Sequence, residues 1–210
     1  MQAARHRGKY CAVMQIEASA LSVERGGRVI FAGLGFQLAA GEALLVKGPN
    51  GAGKSTLLRA LAGLLPLVRG EIRLNPPVEA RRAELCHYIG HADALKPALT
   101  LAENLTFYAA LLGGGDIAPA LARLGLAGIA DLPAGYLSAG QKRRAALARL
   151  VAIPRPIWLL DEPLTALDAT SQTVVGDLMQ AHLDSGGLIV AATHAPLPIP
   201  ARDLVLGRPL

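Results

Sequence analysis

Residues 48–56 read Gly48-Pro49-Asn50-Gly51-Ala52-Gly53-Lys54-Ser55-Thr56. This is a complete G-x-x-x-x-G-K-[ST] phosphate-binding loop, and its flanks give it the context such a loop needs. The apolar run Ala43-Leu44-Leu45-Val46 before it reads as a buried strand, and residues 55–65 after it read as a helix. Glycines let backbone N–H groups close around an anionic phosphate chain, and the N-terminus of the following helix adds partial positive charge. In that pattern Lys54 reaches the β- and γ-phosphates of a nucleotide and the Ser55 hydroxyl is placed to ligate Mg²⁺. A glycine-rich turn with a chance lysine is the alternative, and the strand and helix on either side argue against it.

A second short motif lies downstream. Leu137-Ser138-Ala139-Gly140-Gln141 opens a segment, residues 142–151, that has no internal Gly or Pro and ends before Pro154. Ser138 and Gln141 stand in the S-x-x-Q spacing of a helix capping box, so the motif taken alone reads as a well-capped helix. Further on, Ile157-Trp158-Leu159-Leu160-Asp161-Glu162 is an apolar strand ending in two carboxylates. Leu167-Asp168, a helix and a second apolar strand over residues 188–192 follow, and that strand runs into Thr193-His194. Two adjacent acids at a strand end would repel each other and any phosphate nearby. A cation for Asp161 and a nucleophilic water for Glu162 would give each a partner.

Taken together, these pieces resemble the ATP-binding cassette (ABC) ATPases over residues 15–205. The motifs match in order: phosphate loop, signature LSAGQ (usually LSGGQ in the family), the WLLDEP stretch, the Leu167-Asp168 D-loop and the His194 switch. The resemblance implies an α/β fold of the P-loop NTPase type, with a mixed β-sheet core and an inserted helical subdomain. It implies ATP and Mg²⁺ as ligands. Residues 48–56 would hold the phosphates; Ser55 and Asp161 would hold the metal. Glu162 would polarise the attacking water, with His194 touching the γ-phosphate or holding Glu162 and Asp168 in place. By the same resemblance, Leu137, Ser138, Ala139, Gly140 and Gln141 would cap the ATP of a second copy in a head-to-tail homodimer.

Two positions depart from the family pattern. His91 stands where a glutamine normally contacts Mg²⁺ and senses the membrane partner. An imidazole nitrogen there would make that contact titratable, and a surface loop histidine is the other reading. Arg25 stands where an aromatic ring normally stacks on adenine. A guanidinium can stack on a base face, and a solvated hairpin arginine beside Gly26-Gly27 is the other reading.

The stretches at 88–97, 100–105 and 136–144 are similar to one branch of the family, the ATP-binding subunits of the haem exporter system of bacterial cytochrome c maturation. That similarity implies a peripheral subunit bound to integral-membrane partners on the cytoplasmic face of the inner membrane. No residue pattern here encodes haem itself, so haem is not expected to bind this chain. Another ABC importer or exporter subunit, or a soluble non-transport ABC ATPase, are the rival readings.

The chain has 210 residues, enough for one domain with a substantial core; 52% are hydrophobic and 4% aromatic, so small aliphatic side chains do the packing. Asp116, Arg123 and Asp131 interrupt the most apolar region, which predicts no membrane-spanning helix. The net charge of +5 is spread over short clusters, Arg5–Lys9, Arg81-Arg82 and Lys142-Arg143-Arg144, rather than a stripe. No nucleic-acid partner is expected on that ground. The last cluster reads as a helix face near phosphates. Residues 1–13 read as a basic tail, disordered or a mis-called start before Met14, and residues 14–210 as the ATPase domain, with its helical subdomain at about 92–137. Cys11 and Cys86 show no metal or disulfide spacing, consistent with a cytoplasmic setting. The expected elements are strands over 15–21, 28–31 and 69–74 and helices over 101–112 and 118–124. These suggest a mixed sheet with the phosphate loop and the two acids at the carboxyl ends of its parallel strands.

Overall fold

Gly26-Gly27 turns the chain with φ of 58° and 74°, and this joins β1 (Gln15–Arg25) to β2 (Arg28–Leu38) as an antiparallel hairpin. The structure is a computed structural model and describes residues 14–207; the expected basic tail at 1–13 and Cys11 lie outside the described residues. Strand β4 (Arg69–Asn75) adds to the other side of β1, giving an antiparallel sheet in the order β2-β1-β4. A second sheet is wholly parallel. Its strands are β3 (Ala43–Lys47), β5 (Cys86–Ile89), β6 (Ile157–Asp161), β7 (Leu188–Ala192) and β8 (Arg202–Val205), in the order β5-β6-β7-β3-β8. The mixture of strand directions expected from the sequence is therefore sorted between two sheets. The reason is burial. Every residue of β6 and β7 is buried, as parallel strands covered on both faces must be, whereas β1 and β4 keep alternate side chains in solvent.

Alternation along the parallel strands feeds two cores. Leu44, Val46, Leu159 and Val190 face the antiparallel sheet and helix α1 (Lys54–Leu61), where Ile16, Leu21, Val23, Leu57 and Leu58 meet them. Trp158, Leu160, Ile189 and Ala191 face the opposite way and pack with Leu105, Leu147 and Val175. Each fully buried aliphatic or aromatic side chain of this kind contributes about 1.5–3 kcal/mol. Helix α1 is shorter than the expected 55–65, because Gly63 turns the chain with φ 73° and Leu64 is left 59% exposed.

A four-residue helix α2 (Arg82–Leu85) leads into β5. Helix α3 (Leu101–Leu111) starts at a reciprocal box between Thr100 and Glu103 and ends before Gly113-Gly114. Helix α4 (Ile117–Arg123) is capped by Asp116, whose Oδ1 accepts from the Ala118 N–H at 3.0 Å. Both pack on α5 (Ala139–Ala152), the helix that the LSAGQ motif opens. Helix α6 (Ala169–Asp184) precedes β7. Among the described residues, no helix is long and apolar enough to cross a membrane.

Candidate active site

The order β6-β7-β3 makes the carboxyl ends of three strands open on one edge of the parallel sheet. The loop after β3, the acids at the end of β6 and Thr193-His194 after β7 therefore meet. They bound a cleft of about 650 Å³ lined by Asn50, Gly51, Gly53, Lys54, Ser55, Thr56, Asp161, Glu162, Thr165 and His194, with Arg25, Ile30 and His91 on its rim.

The loop is held against β2. Gly53 has φ 96°, and a Cβ there would come within 2.5 Å of Ile30 Cγ2, so glycine suits both the left-handed turn and the close packing of the Ile30 and Phe31 side chains. Gly53 is also the N-cap of α1 and brings no side chain to its first N–H groups, nor is there an acid in the first turn. That end of the helix is left open to an anion. Lys54 Nζ donates to the Gly48 and Pro49 carbonyls at 2.8 and 3.2 Å and lies 3.3 Å from His194 Nε2. Neutral carbonyls do not compensate the ammonium as a carboxylate would, so the group is available to a phosphate.

Asp161 is 5% exposed. Glu162 next to it sits in the left-handed region with φ 49°, a conformation that costs a non-glycine residue about 1–3 kcal/mol. Contacts hold both its backbone and its carboxylate, and its carbonyl accepts from the Thr165 N–H at 3.3 Å and from Arg143 Nη2 at 2.7 Å. Its N–H donates to the Ala192 carbonyl at 2.7 Å, its Oε2 accepts from Thr193 Oγ1 at 2.9 Å, and its Oε1 is 4.0 Å from His194 Nε2. Thr193 Oγ1 in turn accepts from the Ala195 N–H at 3.1 Å. His194 Nε2 lies 3.0 Å from Asn50 Oδ1 as well as near Lys54. One nitrogen serves one of these at a time: as N–H it donates to Asn50, and bare it accepts from Lys54. The histidine thus links the phosphate loop to the carboxylate that faces the cleft.

The oxygen donors Ser55 and Asp161 are the type Mg²⁺ prefers, and both line the cleft. His91 is exposed on the rim, and an imidazole nitrogen matches that ion less well. Arg25 is exposed and Ile30 half-buried, and both line the cleft, so a guanidinium and an aliphatic side chain belong to its wall. Asp168 caps α6: its Oδ1 accepts from the Ser171 N–H at 2.7 Å, and hydrogen bonding from the Ser171 side chain, with that backbone bond second, holds its carboxyl below the usual range. Of the two residues His194 was expected to hold, Glu162 has its Oε1 4.0 Å from His194 Nε2, and Asp168 is engaged at the start of α6.

None of the signature residues lines the cleft. Ser138 Oγ accepts from the Gln141 N–H at 3.2 Å and Gln141 Oε1 accepts from the Ser138 N–H at 2.8 Å, so the capping box is formed. Ser138 and Ala139 are exposed, Leu137 is buried, and a Cβ on Gly140 would stand 2.8 Å from the Ala166 carbonyl. The signature helix therefore starts directly against the loop that follows Glu162.

The Lys142-Arg143-Arg144 cluster corrects one expectation. Two of its three residues are turned into the protein rather than toward phosphates. Arg143 is 4% exposed and binds carbonyls of the chain itself, and Arg144 Nη1 donates to the Leu124 carbonyl at 3.0 Å. Sequence reasoning also assigned no role to Thr193, the partner of Glu162. Its position beside His194 at a strand end was the available signal.

A family model described as ABC transporter matches residues 31–165. A cytochrome c biogenesis ATP-binding export protein CcmA of Rhodopseudomonas palustris is 56% identical to the chain, covering 92% of it and 98% of that protein. The protein of that name from Bradyrhizobium diazoefficiens is 53% identical over the same shares. A solved putative ABC transporter ATP-binding protein from Pyrococcus furiosus superposes with a TM-score of 0.79 at 24% identity, covering 91% of this chain and 97% of that one. At that identity the superposition speaks for the fold.

Proposed function

The chain belongs to the ABC transporter family, and on that premise we propose that it is the ATP-hydrolysing subunit of a transporter that exports or delivers haem for maturation of c-type cytochromes. The observation that carries the reading is the 56% identity to a cytochrome c biogenesis export ATPase across 92% of the chain. The converging phosphate loop, acids and histidine support it by supplying the machinery for hydrolysis.

As a member of this family the chain is a nucleotide-binding ATPase. In the proposed mechanism the glycine loop and the open end of α1 bind the phosphates, and Lys54 turns from the Gly48 and Pro49 carbonyls to the β- and γ-phosphates. Ser55 and Asp161 would hold Mg²⁺, which would neutralise phosphate charge, and His91 lines the same cleft. Glu162, with one oxygen fixed by Thr193, turns the other toward the cleft and takes the proton of the attacking water. His194 Nε2 bonds Asn50 at 3.0 Å and lies 4.0 Å from Glu162 Oε1, so exchange of this one nitrogen between the two would couple loop position to base position. Arg25 stacks on the base.

The exposed Ser138 and Ala139 fit an anion held by a second copy, so we assign the chain to a homodimer in which each LSAGQ helix caps its partner's ATP. Integral-membrane subunits complete the transporter, and the chain sits peripherally on the cytoplasmic face of the inner membrane. Haem is handled by those partners and not by this chain.

The test is a deletion strain. Haem-stained c-type cytochromes should vanish from its membranes while b-type cytochromes persist, and Lys54→Ala should not restore them. Normal c-type levels in the deletion strain overturn the haem reading.

A further inference from the structure

Arg143 is the most completely engaged side chain near the cleft, and nothing in the reaction as derived above uses it. It is carried on α5, less than two turns after Ser138, and it is buried. Nε donates to the Pro163 carbonyl at 3.2 Å. Nη1 donates to the Gly90 carbonyl at 2.9 Å and to Asp93 Oδ1 at 3.1 Å. Nη2 donates to the Asp161 and Glu162 carbonyls at 2.6 and 2.7 Å. A guanidinium has five N–H donors in a rigid fork, and all five are spent.

The acceptors are not a random set. Three are consecutive carbonyls of the turn that holds Asp161 and Glu162. The other two belong to the loop after β5 that carries His91. That loop has a second attachment to the same helix. Arg149 lies over the Tyr108 ring at 4.4 Å, and Tyr108 Oη donates to the Ala94 carbonyl at 2.6 Å.

We propose that Arg143 is a positioning residue for Glu162, holding the catalytic turn and the 90–94 loop to the signature helix. The physical need is plain. Glu162 occupies a strained left-handed conformation, and such a conformation persists only where its surroundings over-determine it. The Ala192 carbonyl takes the Glu162 N–H, and Arg143 takes the Glu162 carbonyl, so both ends of the residue's backbone are pinned. The pin is mounted on the helix that the LSAGQ motif opens, the end proposed to face a second copy, so a shift of that motif is carried to the Glu162 backbone by Arg143. Lysine cannot replace it, since three donors on a flexible stem cannot serve five acceptors in two segments.

The proposal rests on Glu162 being the water-polarising group, and the experiment separates the two claims. Steady-state ATPase and affinity for a non-hydrolysable ATP analogue are measured on the full chain. Arg143→Lys should lower kcat about 100-fold, as a displacement of about 1 Å at a reacting group does, with KM and analogue affinity unchanged. Arg143→Ala should regain part of its turnover when free guanidinium is added. Asp93→Ala removes one of the five acceptors at a partly exposed side chain and should lower kcat in the same direction. If Arg143→Lys does not fold, Asp93→Ala decides, and a wild-type kcat there overturns the proposal. So does a wild-type kcat in Arg143→Lys, or a loss of kcat that tracks a loss of nucleotide affinity. Glu162→Gln is run alongside. If it turns over normally, the assignment of Glu162 falls and the positioning role with it. If it is inactive while Arg143→Lys is normal, only the positioning role falls.

Discussion

Acidification from about pH 7.5 to about pH 5 should cost this fold about 4 kcal/mol, and His182→Phe should recover about half of it. Two imidazoles are responsible. His87 on β5 is 4% exposed, with Nε2 2.6 Å from the Ile153 carbonyl, and burial pushes its pKa down to about 3. His182 near the end of α6 stacks on the Trp158 ring, centroids 3.9 Å apart and planes within 8°, and burial pushes it down to about 4. Both values lie below the ordinary 6.5 of the unfolded chain, so the unfolded state takes up protons first. Stability from these two groups is complete above pH 6.5 and is lost as pH falls from there through the folded values. Each unit below 6.5 costs about 1.4 kcal/mol per group, hence about 2 kcal/mol for each at pH 5. Against a typical total of about 5–15 kcal/mol, that loss is large. Phenylalanine at 182 keeps the stack on Trp158 and removes a ring nitrogen, Nε2, that is buried without a hydrogen-bond partner. Urea unfolding followed by the fluorescence of Trp158, the single tryptophan of the chain, measures the stability at each pH. Equal acid losses in the wild type and His182→Phe would refute the reasoning.

Three other substitutions test the cleft. Lys54→Ala should abolish measurable ATP binding by equilibrium dialysis, because the charge that the Gly48 and Pro49 carbonyls now hold would be missing from the phosphates. Ser138→Arg should leave that binding intact and prevent ATP-dependent dimerisation in size-exclusion chromatography; parallel loss of ATP binding in both would put the two motifs in one site. His91→Ala should raise the Mg²⁺ concentration that gives half-maximal turnover, and an unchanged Mg²⁺ titration removes His91 from the metal's surroundings.

Some of the site was legible because its signals are local. The phosphate loop needs only glycines at fixed offsets, a lysine and a strand before it, and β3 and β7 read directly as short apolar runs. The capping box at Ser138 and Gln141 is likewise a four-residue pattern, and the structure forms it as expected. The division of strands between two sheets was less legible, because edge pairing depends on which faces other elements cover. Leu57 and Leu58 of α1 fill the space between the sheets, and no periodicity in β1 announces that. The end of α1 was overrun for a similar reason: residues 62–65 lack a breaker except Gly63, whose left-handed φ decides the matter.

Arg143 shows where local reading stops. In sequence it is one of three basic residues on a helix, and a solvated or phosphate-facing row is the natural inference. Its acceptors lie 18 to 53 positions away, on two separate segments, and four of the five are backbone carbonyls that carry no side-chain signature at all. A buried guanidinium is tolerable only when such partners exist, because an unpaired charge in the interior costs far more than its neighbours could return. The carbonyls of Asp161, Glu162 and Pro163 turn toward one point because the chain leaves β6 with Glu162 in the left-handed region. The strain at Glu162 and the burial of the arginine are thus two sides of one arrangement: the bent turn presents the acceptors, and the fork that binds them keeps the turn bent. Relaxing either should release the other, which is why a change on the signature helix is expected to be read out at the carboxylate.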